Sequence, residues 1–116
     1  MVDDRKQIGL TDGGKAAEMR LTGALGWFRE SQEACRFALG YAIGEGVCEG
    51  TTEEHVDTRW GPDGFDPTGE IRAVLRAAYP SSTTPVRLME YLIDEGLRRI
   101  NAGIDDGKDS PLDYLG

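Results

Sequence analysis

Apolar and polar residues in the first part of the chain alternate with the period of a β-strand and then with that of a helix. Between residues 5 and 11, Ile8 and Leu10 are separated by glycine and flanked by polar residues, which predicts a short strand with one apolar face. Thr11 or the aspartate after it offers a side-chain oxygen to cap a helix. Apolar residues at helical spacing extend that helix to about Leu25.

The same succession of elements is predicted further along the chain. Ser31 is expected to cap a second helix, which carries a broad apolar stripe and unwinds at Gly44. Residues 55–60 alternate like a second strand, and a turn rich in glycine and proline follows them. The pattern then predicts one helix over about residues 67–79 and a last helix over about residues 85–101.

A short block of sequence occurs twice, fifty residues apart. The pattern Y-x-I-x-E-G begins at Tyr41 and again at Tyr91. Two repeats, residues 5–50 and 55–101, have to share one core in a chain of 116 residues. The predicted fold class is therefore mainly α with a short β-ribbon, built from two strand-helix-helix units around one core. The alternative is that two ordinary helices end alike, with glycines as their C-terminal stops.

The chain is expected to form a single domain, residues 1–104, followed by an acidic tail, residues 105–116. Leu112, Tyr114 and Leu115 are apolar residues in that tail, and they are expected to dock either on the domain or on a partner. No apolar run approaches the roughly 20 residues of a membrane span, and no signal-peptide pattern opens the sequence. We therefore expect a cytoplasmic protein without membrane contact.

Charge limits the partners that this chain is expected to bind. The net charge is −8; residues 1–50 carry six basic and eight acidic side chains, and residues 51–116 carry seven and thirteen. A protein that binds nucleic acid through its overall field is basic. Any contact with nucleic acid must therefore be local. An acidic surface is also an ordinary means of keeping a soluble protein from associating.

Residues with catalytic or metal-binding chemistry are scattered rather than clustered. Cys35 and Cys48 form no CxxC pair, and Cys35 lies on the apolar stripe of its helix, which is typical of a buried thiol. His55, the only histidine, has no nucleophile assigned to it. Residues 105–109 lack the spacing of a calcium loop, and residues 12–15 lack that of a phosphate-binding loop. We expect no enzyme, no metal and no cofactor.

Four local features together define a family resemblance. They are the apolar strand positions, the helix opening at Thr11-Asp12, the loop Gly26-Trp27-Phe28, and the pattern S-x-E-A-x-R-x-A from Ser31. Residues 5–47 thereby resemble a ribbon-helix-helix unit, the fold of many small bacterial repressors and antitoxins. In that family two chains pair their strands into a ribbon that enters the major groove. The resemblance implies that this single chain forms both halves of the ribbon.

The resemblance and the strand period together predict which side chains face DNA. With Ile8 and Leu10 inward, the residues expected to face outward are Arg5, Gln7, Gly9 and Thr11. Arginine forms bidentate hydrogen bonds with guanine, and glutamine forms them with adenine. Arg5 and Gln7 are therefore expected to contact bases, and Lys6 is expected to contact a phosphate. The alternative is an ordinary solvated strand face.

The second strand and the openings of two helices complete the predicted interface. His55, Asp57 and Arg59 are expected to face outward, with Val56, Thr58 and Trp60 inward. Amide groups at Ser31-Gln32 and at Thr83-Thr84 are expected phosphate anchors. Gly9 and Asp57 depart from the family pattern, because the first offers no side chain and the second repels phosphate. The predicted DNA-binding residues are Arg5, Lys6, Gln7, Thr11, Ser31, Gln32, His55 and Arg59.

Two functions are consistent with these residues. The first is a small DNA-binding regulator or accessory factor that reads double-stranded DNA through the ribbon. The second is an acidic protein-protein interaction module on the same scaffold, an adaptor subunit that uses its second half or its tail. An antitoxin-like protein would combine the two. The chain is expected to be either a monomeric pseudo-dimer or a homodimer.

Overall fold

A computed structural model describes residues 3–115, and it is mainly helical. Strand β1 (Ile8–Leu10) and strand β2 (Asp57–Trp60) form one antiparallel two-stranded sheet. This arrangement confirms the prediction of a mainly α fold with a short ribbon. The helical elements are α1 (Asp12–Met19), a π-helical turn (Arg20–Ala24), α2 (Ser31–Gly44), the short α3 (Pro62–Phe65), α4 (Glu70–Ala78), α5 (Pro85–Asp105) and a 3₁₀ turn (Pro111–Tyr114).

An irregular register holds the two strands of the ribbon together. Ile8 lies opposite Trp60, but a bulge follows, so that Gly9 lies opposite Thr58. At Gly9 the strands approach so closely that a Cβ atom would lie 2.8 Å from the Asp57 carbonyl oxygen and from a methyl group of Val56. Glycine is therefore required at the centre of β1.

Helix α5 is the centre of the core. It packs against α2, α1 and β1, and it contributes a continuous set of fully buried side chains. At Gly96 the backbones of α5 and α2 meet, and a Cβ atom there would overlap the carbonyl oxygen of Ala38. The buried apolar residues of α5 are Val86, Leu88, Met89, Leu92, Ile93, Leu97, Ile100 and Ile104.

Two helices have bounds that differ from the predicted ones. Helix α4 begins at Glu70 rather than near residue 67, because Gly69 adopts a positive φ of 77° and the Asp66 carboxylate accepts the first amides of the helix. Helix α5 continues to Asp105 instead of ending near residue 101. Gly103, which resembles a helix stop in the sequence, lies inside α5 under the Tyr114 ring.

The C-terminal segment is docked on the domain through one residue. Tyr114 is 5% exposed, and its hydroxyl donates to the carbonyl oxygens of Ile100 and Lys108 at 3.0 and 2.8 Å. Its ring packs edge-on against Tyr41 and near Trp27. Of the two expected positions for the tail, Tyr114 takes the one on the domain, while Leu112 and Leu115 remain exposed.

Not every residue on the predicted apolar stripes is buried. Leu21 and Leu75 are fully buried, as are Cys35 and most of the apolar stripe of α2. Ala24, Leu25, Val74 and Ala78 are exposed, because the π-helical turn rotates the end of the first helix and α4 touches the core through few residues.

Candidate nucleic-acid interface

Four polar residues in or just before the two strands are exposed. Lys6 and Gln7 precede β1, and Thr58 and Arg59 belong to β2. The side chain of Arg5 is 32% exposed. Arg5, Lys6, Gln7 and Thr58 line an open cavity of about 500 Å³. Three of the predicted residues, all from the first half, are thus brought together with one residue of the second half that was predicted to face inward.

The bulge changes which residues of β2 face outward. Thr58 was predicted inward, yet Thr58 and Arg59 are both exposed, since the extra residue interrupts the alternation of the strand. Trp60 faces inward as predicted, with its ring 5.3 Å from that of Phe65. Thr58 is therefore a member of the exposed face that strand periodicity alone did not identify.

Thr11 was expected to face outward, and instead it is buried. Its hydroxyl oxygen caps α1 by accepting the Gly14 amide at 2.9 Å, and the hydroxyl donates to the Asp94 carboxylate at 2.5 Å. The cap itself was predicted from the sequence. Because both functions of the hydroxyl are used inside the protein, Thr11 is not available to DNA in this conformation.

Arg98 extends this buried network to the segment between the two halves. Its guanidinium donates to Asp94 at 2.9 Å, to Thr11 at 3.0 Å and to Glu54 at 2.6 Å. From the sequence alone, the reason for a basic residue at this point of the last helix was that it complements the helix dipole. The structure assigns Arg98 a different role, which is to join α1, α5 and the linker.

His55 lies at the edge of the ribbon with its side chain 85% exposed. Its Nε2 atom is 3.6 Å from the Asp57 carboxylate, which also forms an ion pair with Lys15. The hydrogen bond from Lys15 and its positive charge lower the pKa of Asp57. The anionic Asp57 is thus flanked by two basic groups, which reduces the repulsion that it would exert on a phosphate.

The first amides of α5 are already occupied by a carboxylate of the same chain. The two oxygens of Asp4 accept the Val86 and Arg87 amides at 3.0 and 2.9 Å. The expected phosphate anchor at Thr83-Thr84 therefore has an internal anion in its place. No helix-capping signal pointed to Asp4, because it lies about eighty residues from the helix that it caps.

The start of α2 is likewise acidic. Glu30 and Glu33 form a reciprocal capping box, in which the Glu30 amide donates to the Glu33 carboxylate at 3.2 Å. Ser31, expected as the cap, is the first helical residue instead, and the Oε1 atom of the Gln32 side chain accepts from Arg36. Two carboxylates beside Ser31 and Gln32 oppose a phosphate at this position.

Most basic side chains elsewhere in the described chain are engaged with protein groups. Arg20, Arg72 and Arg99 pair with carboxylates, and Arg36 donates to the Phe65 carbonyl oxygen. Lys6, Arg29, Arg59 and Arg76 form no ion pair among residues 3–115, although the protein is acidic overall. Two of these four residues, Lys6 and Arg59, lie in or beside the two strands of the ribbon.

One buried carboxylate beneath the ribbon was missed by the sequence analysis. Glu90 of α5 is 1% exposed; it accepts the Gly9 amide at 2.9 Å and lies 2.9 Å from the Arg5 Nε atom. Burial raises the pKa of Glu90, while the Gly9 amide and Arg5 act in the opposite direction. One feature of the sequence could have indicated a buried carboxylate here: Glu90 and Asp94 are one helical turn apart, directly beside the apolar stripe of the last helix.

The remaining reactive group lies in the core. Cys35 is fully buried, and this burial raises its pKa to about 12, so that its thiol is protonated at neutral pH. Within residues 3–115, no cluster of three or more histidine, cysteine, aspartate or glutamate side chains is arranged to hold a metal ion. Helices long and apolar enough to cross a membrane are likewise absent from this part of the chain.

No family model, curated protein or solved structure matches the chain.

Proposed function

We propose that this protein is a small DNA-binding regulator or accessory factor whose β-ribbon contacts double-stranded DNA, with both strands supplied by one chain. The observation that carries the proposal is the exposed face of the ribbon, where Arg5, Lys6, Gln7 and Thr58 line one open cavity and Arg59 is exposed at the next position of β2. The major groove of DNA is wide enough to admit a two-stranded ribbon, and charged side chains on the exposed face of such a ribbon can contact the DNA.

The order and packing of the elements support a ribbon-helix-helix-like pseudo-dimer. Each half supplies one strand, and the strands pair antiparallel. The helix that ends each half, α2 or α5, packs against the other beneath the ribbon. In a two-fold dimer the paired strands and the packed second helices come from different chains, and here one chain would supply both.

The internal carboxylates predict that binding is weak and confined to the ribbon. Asp4 and the Glu30–Glu33 pair occupy the helix openings that would otherwise hold phosphates. Since Arg5 is paired with Glu90, two basic groups, Lys6 and Arg59, remain to neutralise phosphate charge. Each neutralised phosphate contributes about −0.9 to the slope of log affinity against log salt, so we expect a slope of about −1.8.

A fluorescence-anisotropy titration of duplex DNA at two salt concentrations tests this proposal. Between 50 and 200 mM salt the affinity should fall about 12-fold, as follows from a slope of about −1.8. The double variant Lys6→Ala with Arg59→Ala should flatten the slope almost completely, because neither phosphate contact remains.

The matched control is Arg99→Ala with Lys108→Ala, which removes the same charge from outside the ribbon. Arg99 pairs with Glu95, and Lys108 lies over the Tyr114 ring. This control should bind DNA like the wild type. No binding by the wild type at 50 mM salt would overturn the proposal, and so would equal losses in the two double variants.

A protein-interaction module is the second candidate, and the C-terminal segment favours it. Leu112 and Leu115 are 73% and 60% exposed on either side of the buried Tyr114. Leu115 lies at a groove of about 620 Å³ between α2 and this segment, which Phe37 and Tyr41 also help to line. Exposed leucines, one of them at a groove, are features of an interaction surface.

A further inference from the structure

We propose that Glu90 is a positioning residue, which holds Arg5 in one orientation so that its guanidinium reads a guanine base. This inference rests on the proposed DNA contact and names the group within it that would confer sequence preference. It concerns two residues 85 positions apart, one before the first strand and the other inside the last helix.

Glu90 contacts the ribbon at two points from below. Its Oε2 atom accepts the Gly9 amide at the centre of β1, and its Oε1 atom lies 2.9 Å from the Nε atom of Arg5. The carboxylate is 1% exposed, so that its position is fixed by the surrounding core. The strand and the arginine are therefore held by the same rigid helix.

Arg5 is held near Glu90 by an ion pair at one end of its guanidinium. The Nε atom is buried 2.9 Å from the Glu90 Oε1 atom without forming a hydrogen bond, whereas the side chain as a whole is 32% exposed. Within residues 3–115 the two terminal nitrogens donate no hydrogen bond, and the side chain lines the open cavity with Lys6, Gln7 and Thr58. The unused edge of the guanidinium is thus available to a ligand on the exposed side of the ribbon.

A guanidinium whose two terminal nitrogens are free suits a planar acceptor pair. The O6 and N7 atoms of guanine form such a pair in the major groove, and a bidentate contact with them distinguishes G·C from the other base pairs. The ion pair with a rigidly held carboxylate restricts the Arg5 side chain before DNA arrives, so that less side-chain entropy is lost on binding.

The other half of the chain has no equivalent arrangement. Fifty residues before Glu90 the helix carries Gly40, and fifty residues after Arg5 the chain carries His55, which is exposed beside Asp57. Gly40 has open space around its Cα atom. We therefore expect one anchored guanine reader per chain, so that the DNA site is asymmetric although the scaffold is built from two similar halves.

Selection of duplexes from a pool with a randomised centre tests the inference. The wild type should enrich one invariant G·C pair. Arg5→Lys keeps the charge but loses the planar fork, so it should leave the salt slope unchanged and reduce discrimination at that pair about 10-fold, the value of a typical bidentate contact. Glu90→Gln should reduce the same discrimination, because the amide cannot pair with the Nε atom of Arg5 and also accept from Gly9 in the native geometry.

Two controls separate positioning from a general structural effect. Glu95→Gln removes a carboxylate from a different face of α5 and should leave discrimination intact. Lys6→Ala should weaken binding equally for every duplex, as loss of a phosphate contact does. Removal of one partner from a buried ion pair destabilises a protein, so the discrimination of Glu90→Gln is measured where its circular dichroism spectrum matches that of the wild type, and Arg5→Lys, which keeps a cation beside Glu90, is the second variant.

The outcomes distinguish this inference from the function on which it rests. If the wild type binds no duplex, the proposed function fails. If the wild type binds but enriches no G·C pair, or if Glu90→Gln keeps full discrimination, the DNA contact stands and the positioning role of Glu90 is overturned.

Discussion

At the scale of single residues, the pKa of a buried carboxyl group is raised or lowered according to the groups that face it. Asp66 and Glu90 are both almost fully buried. Burial alone raises the pKa of either carboxyl. At Asp66, hydrogen bonds from the Arg72 and Ile71 amides and from the Arg72 side chain outweigh burial and lower the pKa. At Glu90 one amide and a partly exposed arginine do not, and the pKa is raised.

Asp66→Asn tests the stabilising member of this pair. Because the pKa of Asp66 is lowered in the folded state, its charge stabilises the fold above the ordinary aspartate pKa, and this contribution is lost as the pH falls through the folded pKa. At neutral pH the variant should lose about 1 to 2 kcal/mol of unfolding free energy, the range of a helix cap and a charged hydrogen bond. Denaturant unfolding at several pH values measures both effects.

Asp63→Asn is the matched control for this measurement. Asp63 pairs with the same Arg72, but its side chain is 91% exposed. An exposed ion pair contributes little, so this variant should change the unfolding free energy by less than about 0.5 kcal/mol. Equal losses in the two variants, or a wild-type acid transition in Asp66→Asn, would contradict the role given to Asp66.

Individual side chains were predicted from the sequence where the signal is local. Thr11 was identified as a cap because capping acts over three residues. Its burial was not foreseen, because Asp94 and Arg98 are more than eighty residues away in the sequence. Asp4 and Glu90 were missed for the same reason, since both act on partners brought near only by the fold.

At the scale of elements, close contact between α2 and α5 depends on Gly96. An added Cβ atom would overlap the Ala38 backbone, which has no side-chain freedom to yield. Gly96→Ala should therefore lower the unfolding free energy by about 1 to 3 kcal/mol, as overpacking of a core does. Denaturant titration followed by circular dichroism measures the change.

Gly40→Ala provides the contrasting variant within the partner helix. Gly40 lies in the interior of α2 with open space around it. Alanine there should stabilise the protein by about 0.5 to 1 kcal/mol through helix propensity alone. If alanine stabilised the protein at both positions, the close approach of the two helices would be refuted.

Most elements followed from hydrophobic period and capping residues, but their ends did not. The sequence predicts two strands and the long helices because each has a clear period. The last helix was predicted to end near residue 101, yet it continues past Gly103, where the absence of a side chain admits the Tyr114 ring. A glycine signals either a helix end or a close contact, and the sequence does not distinguish them when the contacting residue belongs to another element.

At the scale of the whole molecule, net charge and local charge point to different partners. The chain carries a charge of −8, yet Lys6 and Arg59 are exposed in or beside the two strands of the ribbon without carboxylate partners among residues 3–115. The sequence predicted a local basic surface on the first strand. It did not predict that Arg5 would be tied to Glu90, or that both helix openings would carry acidic groups, because these contacts depend on how the halves pack.

The central claim is that one chain supplies both strands of a ribbon that binds DNA. The molecular mass of the complex with a short duplex, measured by light scattering after size-exclusion chromatography, tests it most directly. We predict a monomer in the absence of DNA and a complex of one chain with one duplex. A complex that contains two chains for each duplex, or two chains before DNA is added, would contradict the claim.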